Sequence, residues 1–147
     1  MDKMIREMEE QDRPCVLEMM RTFYASPAVW TSGSEEIFAR DFEMCISDSP
    51  YLEGYILEEE GQIQGYAMIA KSYSTEFGRP CIWIEDLYVR EDCRGQGLGS
   101  SFLKFIRQQY PDCLLRLEVE EENQRAIDTY RKCGYTSLPY MEMKNEP

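Results

Sequence analysis

Arg94-Gly95-Gln96-Gly97-Leu98-Gly99 is the segment of this chain best equipped for chemistry. It lies between a strand-like run, Cys81 to Val89, and a helical run, Ser100 to Arg107. A glycine-rich turn that opens a helix lets backbone N–H groups approach an anion, and the positive end of the helix dipole adds to the attraction. Arg94 contributes a fixed cation whose fork of donors suits phosphate oxygens. The segment reads as a pyrophosphate cradle.

Two nucleotide motifs compete for that turn. A Walker A loop needs Lys-Ser or Lys-Thr directly after its last glycine. Ser100-Ser101 follows Gly99 and the nearest lysine is Lys104, which excludes it. A Rossmann fingerprint needs Gly-x-Gly-x-x-Gly close behind its strand. Counted from Gly95, Ser100 stands where the third glycine belongs, and Arg90 to Arg94 intervene after Val89. Glu118 or Glu120 does fall about 20 residues onward, where that motif carries a ribose-binding acid. On the turn alone, a nicotinamide-type oxidoreductase stays open. So does a tight turn with no ligand.

The elements that must position the turn follow from periodicity. Met4 to Met8 reads as a short strand. Asp12 is expected to cap a helix with Pro14 in its first turn, and Val16, Met19, Met20 and Phe23 form one face of it. Ser26-Pro27 ends that helix. Ser32 with Glu35 fits a capping box for a second, striped by Phe38, Phe42, Cys45 and Ile46. Tyr51 to Glu58 and Gln62 to Tyr73 read as a hairpin joined at Glu60-Gly61. After the glycine turn, a helix buries Phe102, Leu103 and Ile106 until Pro111-Asp112 breaks it, and Leu114 to Val119 is a strand. Asn123 is expected to cap a last helix and Gly134 to stop it, with Tyr135 to Met143 as the final strand. The order β-α-α-β-β-β-α-β-α-β describes one mixed α/β domain over residues 1–147.

Composition narrows the function. Sixteen Lys and Arg against 28 Asp and Glu leave a net charge of −12, which argues against nucleic acid and mildly favours a cationic substrate. The chain has no histidine, and Cys15, Cys45, Cys81, Cys93, Cys113 and Cys133 include no Cys-x-x-Cys pair. The usual zinc sites and histidine-dependent hydrolases are therefore not expected, and the cysteines read as free thiols. No run approaches the roughly 20 apolar residues of a membrane span, and no signal peptide is evident. A reducing cytoplasm is the expected setting.

A second constellation adds to the first. Arg94-x-x-Gly97-x-Gly99, followed by Glu122-Asn123-x-x-Ala126-x-x-x-Tyr130-x-x-x-Gly134-Tyr135, resembles the GNAT superfamily of acyl-CoA-dependent N-acetyltransferases. The element order agrees from residue 4 to residue 143. The resemblance implies a central mixed, mostly antiparallel sheet with helices on both faces. It implies that Arg94, Gly95, Gln96, Gly97, Leu98, Gly99 and Ser100 hold the coenzyme A pyrophosphate. Leu87, Tyr88 and Val89 would splay from the neighbouring strand and pair with the pantetheine arm. A backbone N–H near Leu87 would polarise the thioester carbonyl, where negative charge develops during attack. Asn123 and Ala126 carry over as further cofactor contacts.

By the same resemblance Tyr130 is the general acid for the departing thiolate, and Glu85 accepts a proton from the amine directly or through water. Strand alternation puts Glu85 and Leu87 on one face and Asp86 and Tyr88 on the other, so a single carboxylate, Glu85, is expected to face the acceptor. Tyr24 and Trp30, between the first two helices, could wall an amine, and Asp86 joins them on the acceptor side. The run from Glu85 to Ser100 is similar to that of polyamine and diamine acetyltransferases. The implied reaction moves an acetyl group from acetyl-CoA to a primary amine of a small molecule or peptide, with no metal, no membrane and no covalent enzyme intermediate. A non-catalytic acyl-CoA-sensing module is the alternative. Members of the superfamily are often homodimers, though nothing in the sequence fixes an interface.

Overall fold

The computed structural model describes residues 3–147. Its sheet grows from a hairpin evident in the chain. β2 (Leu52–Glu59) turns at Glu60-Gly61 into β3 (Gln62–Ser74), and both turn residues take positive φ, 52° and 78°. Positive φ at both central positions is the type I′ geometry, whose twist matches that of the flanking strands. β1 (Lys3–Glu7) pairs with β2, and β4 (Arg79–Val89) with β3, all antiparallel. β5 (Leu114–Leu117) completes the order β1-β2-β3-β4-β5 and runs parallel to β4. A sheet with one parallel pair is not the doubly wound sheet of a dinucleotide oxidoreductase, and that alternative falls.

Helices cover both faces. α1 (Arg13–Tyr24) and α2 (Glu35–Ile46) set Val16, Met19, Met20, Phe38 and Phe42 against Ile56, Tyr66, Met68 and Tyr88. α3 (Leu98–Gln109) sets Leu98, Phe102, Leu103 and Ile106 against Tyr55, Leu57, Ala67 and Ile69 on the other face. α4 (Gln124–Lys132) borders that second core through Tyr130. The strand period of two sorts these side chains, and each buried one contributes roughly 1.5–3 kcal/mol.

Three local expectations are corrected. Asp12 does not cap α1; its carboxylate turns back to accept the Glu9 N–H at 2.8 Å and both arms of Arg6 at 2.8 and 2.9 Å. Ser34 rather than Ser32 caps α2, because the helix starts at Glu35 and Ser34 stands where it can accept the Ile37 N–H, at 3.2 Å. The final strand over Tyr135 to Met143 does not form a ladder among the described residues. Pro139 removes a donor from its middle. Leu138, Tyr140, Met141 and Met143 stay exposed, and the Tyr140 hydroxyl donates to Glu76 at 2.6 Å. No helix of the described residues is long and apolar enough to cross a membrane.

Candidate active site

β4 changes character at Glu85. Its ladder with β5 joins Cys81–Ile84 to Leu114–Leu117 and stops there, so Glu85 to Val89 have no strand partner on that side among the described residues. Unpaired N–H and C=O groups on such an edge are a template for an extended ligand. On its other side β4 stays paired with β3, but the register slips: Met68 faces Asp86 while Ile69 faces Ile84. Glu85 is the extra residue, a β-bulge at the point where β4 and β5 part. The bulge resets the alternation. Ile84 and Leu87 both border the α3 core, whereas Asp86 and Tyr88 face α1 and α2. Asp86 does share a face with Tyr88, and simple alternation fails between Ile84 and Asp86.

Beyond β4, a 3₁₀ turn over Glu91–Cys93 leads into the glycine segment. Gly95 and Gly97 take φ of 83° and 84°, a left-handed conformation that costs other L residues about 1–2 kcal/mol. Gly97 is the N-cap of α3, and the ladder begins with the Ser101 N–H donating to the Gly97 carbonyl at 2.9 Å. The amides of Leu98, Gly99 and Ser100 precede that ladder and are available at the helix mouth. A Cβ built on Gly99 meets nothing within 4 Å, so the approach is open. Arg94 Nε donates to the Val89 carbonyl at 2.9 Å, and its guanidinium lies 5.7 Å from the centre of the Tyr88 ring.

Arg125 of α4 reaches the same turn; a Cβ on Gly95 would stand 3.5 Å from its Nη2. No sequence motif marked it. Arg94 in the turn and Arg125 beside it bring two positive charges to the segment that leads into α3, in a chain of net charge −12. The Leu98 side chain is buried in the core and offers only its backbone, while Gln96 is exposed on the turn.

Asn123 caps α4, its Oδ1 accepting the Ala126 N–H at 3.4 Å. Tyr130 packs against the α3 core beside Tyr135, with ring centres 6.1 Å apart. Loss of solvent raises its pKa above that of an ordinary phenol, so the hydroxyl keeps its proton at neutral pH. Leu87 and Val89 border the same core. The phenol and the open strand edge therefore share one face of the sheet.

Carboxylates gather on the opposite face. Asp86 is only 4% exposed; its Oδ1 accepts the Tyr24 hydroxyl at 2.9 Å and its Oδ2 the Tyr66 hydroxyl at 2.7 Å. Burial lifts its carboxyl to about 6, against the opposing pull of the two phenol donors and with a contribution from Asp41. Glu85 is exposed at the surface yet crowded. Partial desolvation first, then the charges of Asp86, Glu142 and Asp41, raise its carboxyl. Tyr24 joins this group with its ring against Phe23 and Phe38. Trp30 does not. It is 89% exposed on the turns after α1, where the chain runs over the surface. Tyr66, Asp41 and Glu142 were not marked by the sequence reading. Tyr66 had one available signal, since a tyrosine inside an apolar strand needs a buried partner for its hydroxyl. Two surface hollows are present among the described residues, one of about 250 Å³ beside Cys45 and Lys71, the other running along α3 from Leu98 and Ser101 to Phe105, beside Ile5.

A model of the "Acetyltransferase (GNAT) family" matches residues 15–135. The chain belongs to the GNAT acetyltransferase family. This acetyltransferase is 34% identical to the thialysine N-epsilon-acetyltransferase of Bos taurus over 152 residues, 95% of this chain and 87% of that protein. It is 24% identical to the spermine/spermidine N(1)-acetyltransferase of Bacillus subtilis (strain 168), over 71% of this chain and 74% of that one. Its fold superposes on that of AAC(6')-Iy, solved with the bisubstrate analogue CoA-S-monomethyl-acetylneamine. The TM-score is 0.81 at 14% identity, over 100% of this chain and 99% of that one.

Proposed function

We propose that this acetyltransferase moves an acetyl group from acetyl-CoA to a primary amine of a small cationic acceptor, a polyamine, diamine or thialysine-like amino acid, in a ternary complex. One observation carries the reading. The sheet is open along Glu85 to Val89, between a cationic glycine turn on one side and a cluster of carboxylates on the other. Acetyl-CoA, when bound, supplies an activated acyl group and a thiolate that can leave.

The chain's residues supply the rest. The amides of Leu98, Gly99 and Ser100, with Arg94 and Arg125, fit a diphosphate. The edge of Leu87, Tyr88 and Val89, where Arg94 Nε holds the Val89 carbonyl, fits the extended arm, and an N–H near Leu87 meets the charge that develops on the thioester oxygen. Asn123 and Ala126 line the start of α4 on the same face. Glu85 attracts the ammonium, backed by Asp41 and Glu142, and takes the proton released as the new C–N bond forms. Tyr130 donates to the departing sulfur. Unpaired thiols at all six cysteines suit a reducing cytoplasm. The apolar side chains exposed on residues 138–143 and at Tyr73 and Phe77 favour association of two copies. Sedimentation at twice the 17.3 kDa of one chain would bear this out.

Two measurements test the reading. Thiol release with acetyl-CoA and a panel of spermidine, spermine, thialysine and a lysine peptide should be fastest with one of the small amines. Tight acetyl-CoA binding without turnover on any of them would instead favour an acyl-CoA-sensing module. Second, Arg94→Ala should raise the KM for acetyl-CoA roughly tenfold with kcat little changed, the signature of lost uniform binding. A KM within twofold of the wild type would remove Arg94 from the diphosphate site.

A further inference from the structure

Asp86 is costly to the fold in a way that packing does not explain. No lysine or arginine pairs with it among the described residues. The titratable groups facing it are Tyr24 of α1, Tyr66 of β3, Asp41 and Cys45 of α2, and Glu85 beside it. Burying a carboxylate without a counter-charge is unfavourable, and an asparagine of the same shape would meet both hydroxyls without that penalty. A buried, uncompensated acid beside a reaction edge fits a chemical task. Its two phenols differ in reach. Tyr66 is fully buried, whereas Tyr24 is half-buried at the end of α1 and feels the charge of Glu85 as well as that of Asp86. A phenol that donates to a carboxylate keeps lone pairs on its own oxygen and can accept from a second donor.

Resting on the acetyl-transfer reading above, we propose that Tyr24 and Asp86 form a proton relay that takes the first proton from the acceptor ammonium. The ammonium N–H bond breaks with its electron pair left on nitrogen. Its proton joins the Tyr24 oxygen as the proton of Tyr24 passes to Asp86 Oδ1. Ammonium and carboxylate become neutral amine and carboxylic acid, so an ion pair is discharged inside a poorly solvated site. The amine can then attack, and the second nitrogen proton goes to Glu85. After product departs, Asp86 returns its proton through Tyr24 to water. An alkylammonium holds its proton to about 10.4 and an ordinary aspartate to about 3.9. Raising Asp86 to about 6 narrows that gap while leaving it ionised at neutral pH. Tyr66 steadies the carboxylate from the inner side and stays out of the relay.

The test compares three full-length proteins, using acetyl-CoA and whichever panel amine the wild type acetylates fastest. Tyr24→Phe keeps the ring and breaks the relay, and kcat/KM should fall about 100-fold, the lower range for general base catalysis. Tyr66→Phe removes a donor that favours the carboxylate. The acid limb of its kcat/KM profile, near pH 6 in the wild type, should move upward. The Asp86 carboxyl resonance of ¹³C-labelled free protein should titrate upward with it. The relay is overturned if Tyr24→Phe stays within threefold of the wild type. It is equally overturned if the Asp86 resonance moves in Tyr66→Phe while the acid limb stays in place. A wild type that acetylates no amine in the panel brings down the acetyl-transfer reading itself, and the relay with it.

Discussion

Tyr130→Phe should lower kcat about 100-fold while leaving the affinity for acetyl-CoA within twofold. The substitution isolates a single hydroxyl. Phenylalanine retains the ring contacts with Tyr135 and with the α3 core, so packing gives no reason for a loss. The hydroxyl of Tyr130 makes no hydrogen bond to another described residue, so its removal orphans nothing in the fold. Its raised pKa keeps the proton in place at neutral pH, where a donor to a leaving sulfur must be protonated. A thiolate leaves tolerably without help, which places the effect near the bottom of the 10²–10⁴ range for acid catalysis. Initial rates with saturating acetyl-CoA measure kcat, and calorimetry measures binding. A kcat within threefold of the wild type would reduce Tyr130 to a packing residue.

Where the sequence was readable and where it was not has one physical cause: the range over which each feature is encoded. The turn at Glu60-Gly61, the left-handed Gly97, the Asn123 cap and the left-handed Gly134 (φ 95°) are all local, set by residues within a few positions of one another. Period-two and period-3.6 patterns likewise placed β1 to β5 and α1 to α4. The bulge at Glu85 is not local. It exists only because Met68 and Ile69 pair across it from another strand, and it overturns the alternation that a single strand would keep. The partners of Asp86 lie 62 and 20 positions away in the chain, so nothing near Asp86 announces them. Arg125 meets the glycine turn only because α4 returns to the mouth of α3. The segment after Gly134 failed for the opposite reason. Its composition is strand-like, but Pro139 cannot donate to a ladder, and composition alone does not weigh that. Glycines and caps thus located the cofactor side, whereas the acceptor side is a product of register.

That dependence on register makes Gly65→Ala the most damaging single methyl expected outside the site. Gly65 stands opposite Val89 in the β3–β4 ladder, and an ideal Cβ there would lie 2.2 Å from the Tyr88 carbonyl oxygen and 3.2 Å from the Val89 Cα. Both are backbone atoms, so no side chain can swing away. Relief requires β3 and β4 to separate, and β4 has no β5 neighbour along Glu85 to Val89 to hold it in place. The same displacement would draw the Tyr66 hydroxyl from Asp86 and shift the Leu87 N–H. A loss of more than about 3 kcal/mol follows, in the tail of single-substitution effects where backbone strain belongs. Gly61→Ala supplies the reference. Its φ of 78° costs about 1–2 kcal/mol, but its Cβ meets nothing within 4 Å. Urea unfolding followed by circular dichroism should therefore place Gly65→Ala well below Gly61→Ala, and what folded protein remains should turn over poorly. Equal midpoints for the two variants would mean that β3 and β4 part without cost, and the strand edge would then lack the rigidity that aiming an N–H at a thioester oxygen demands.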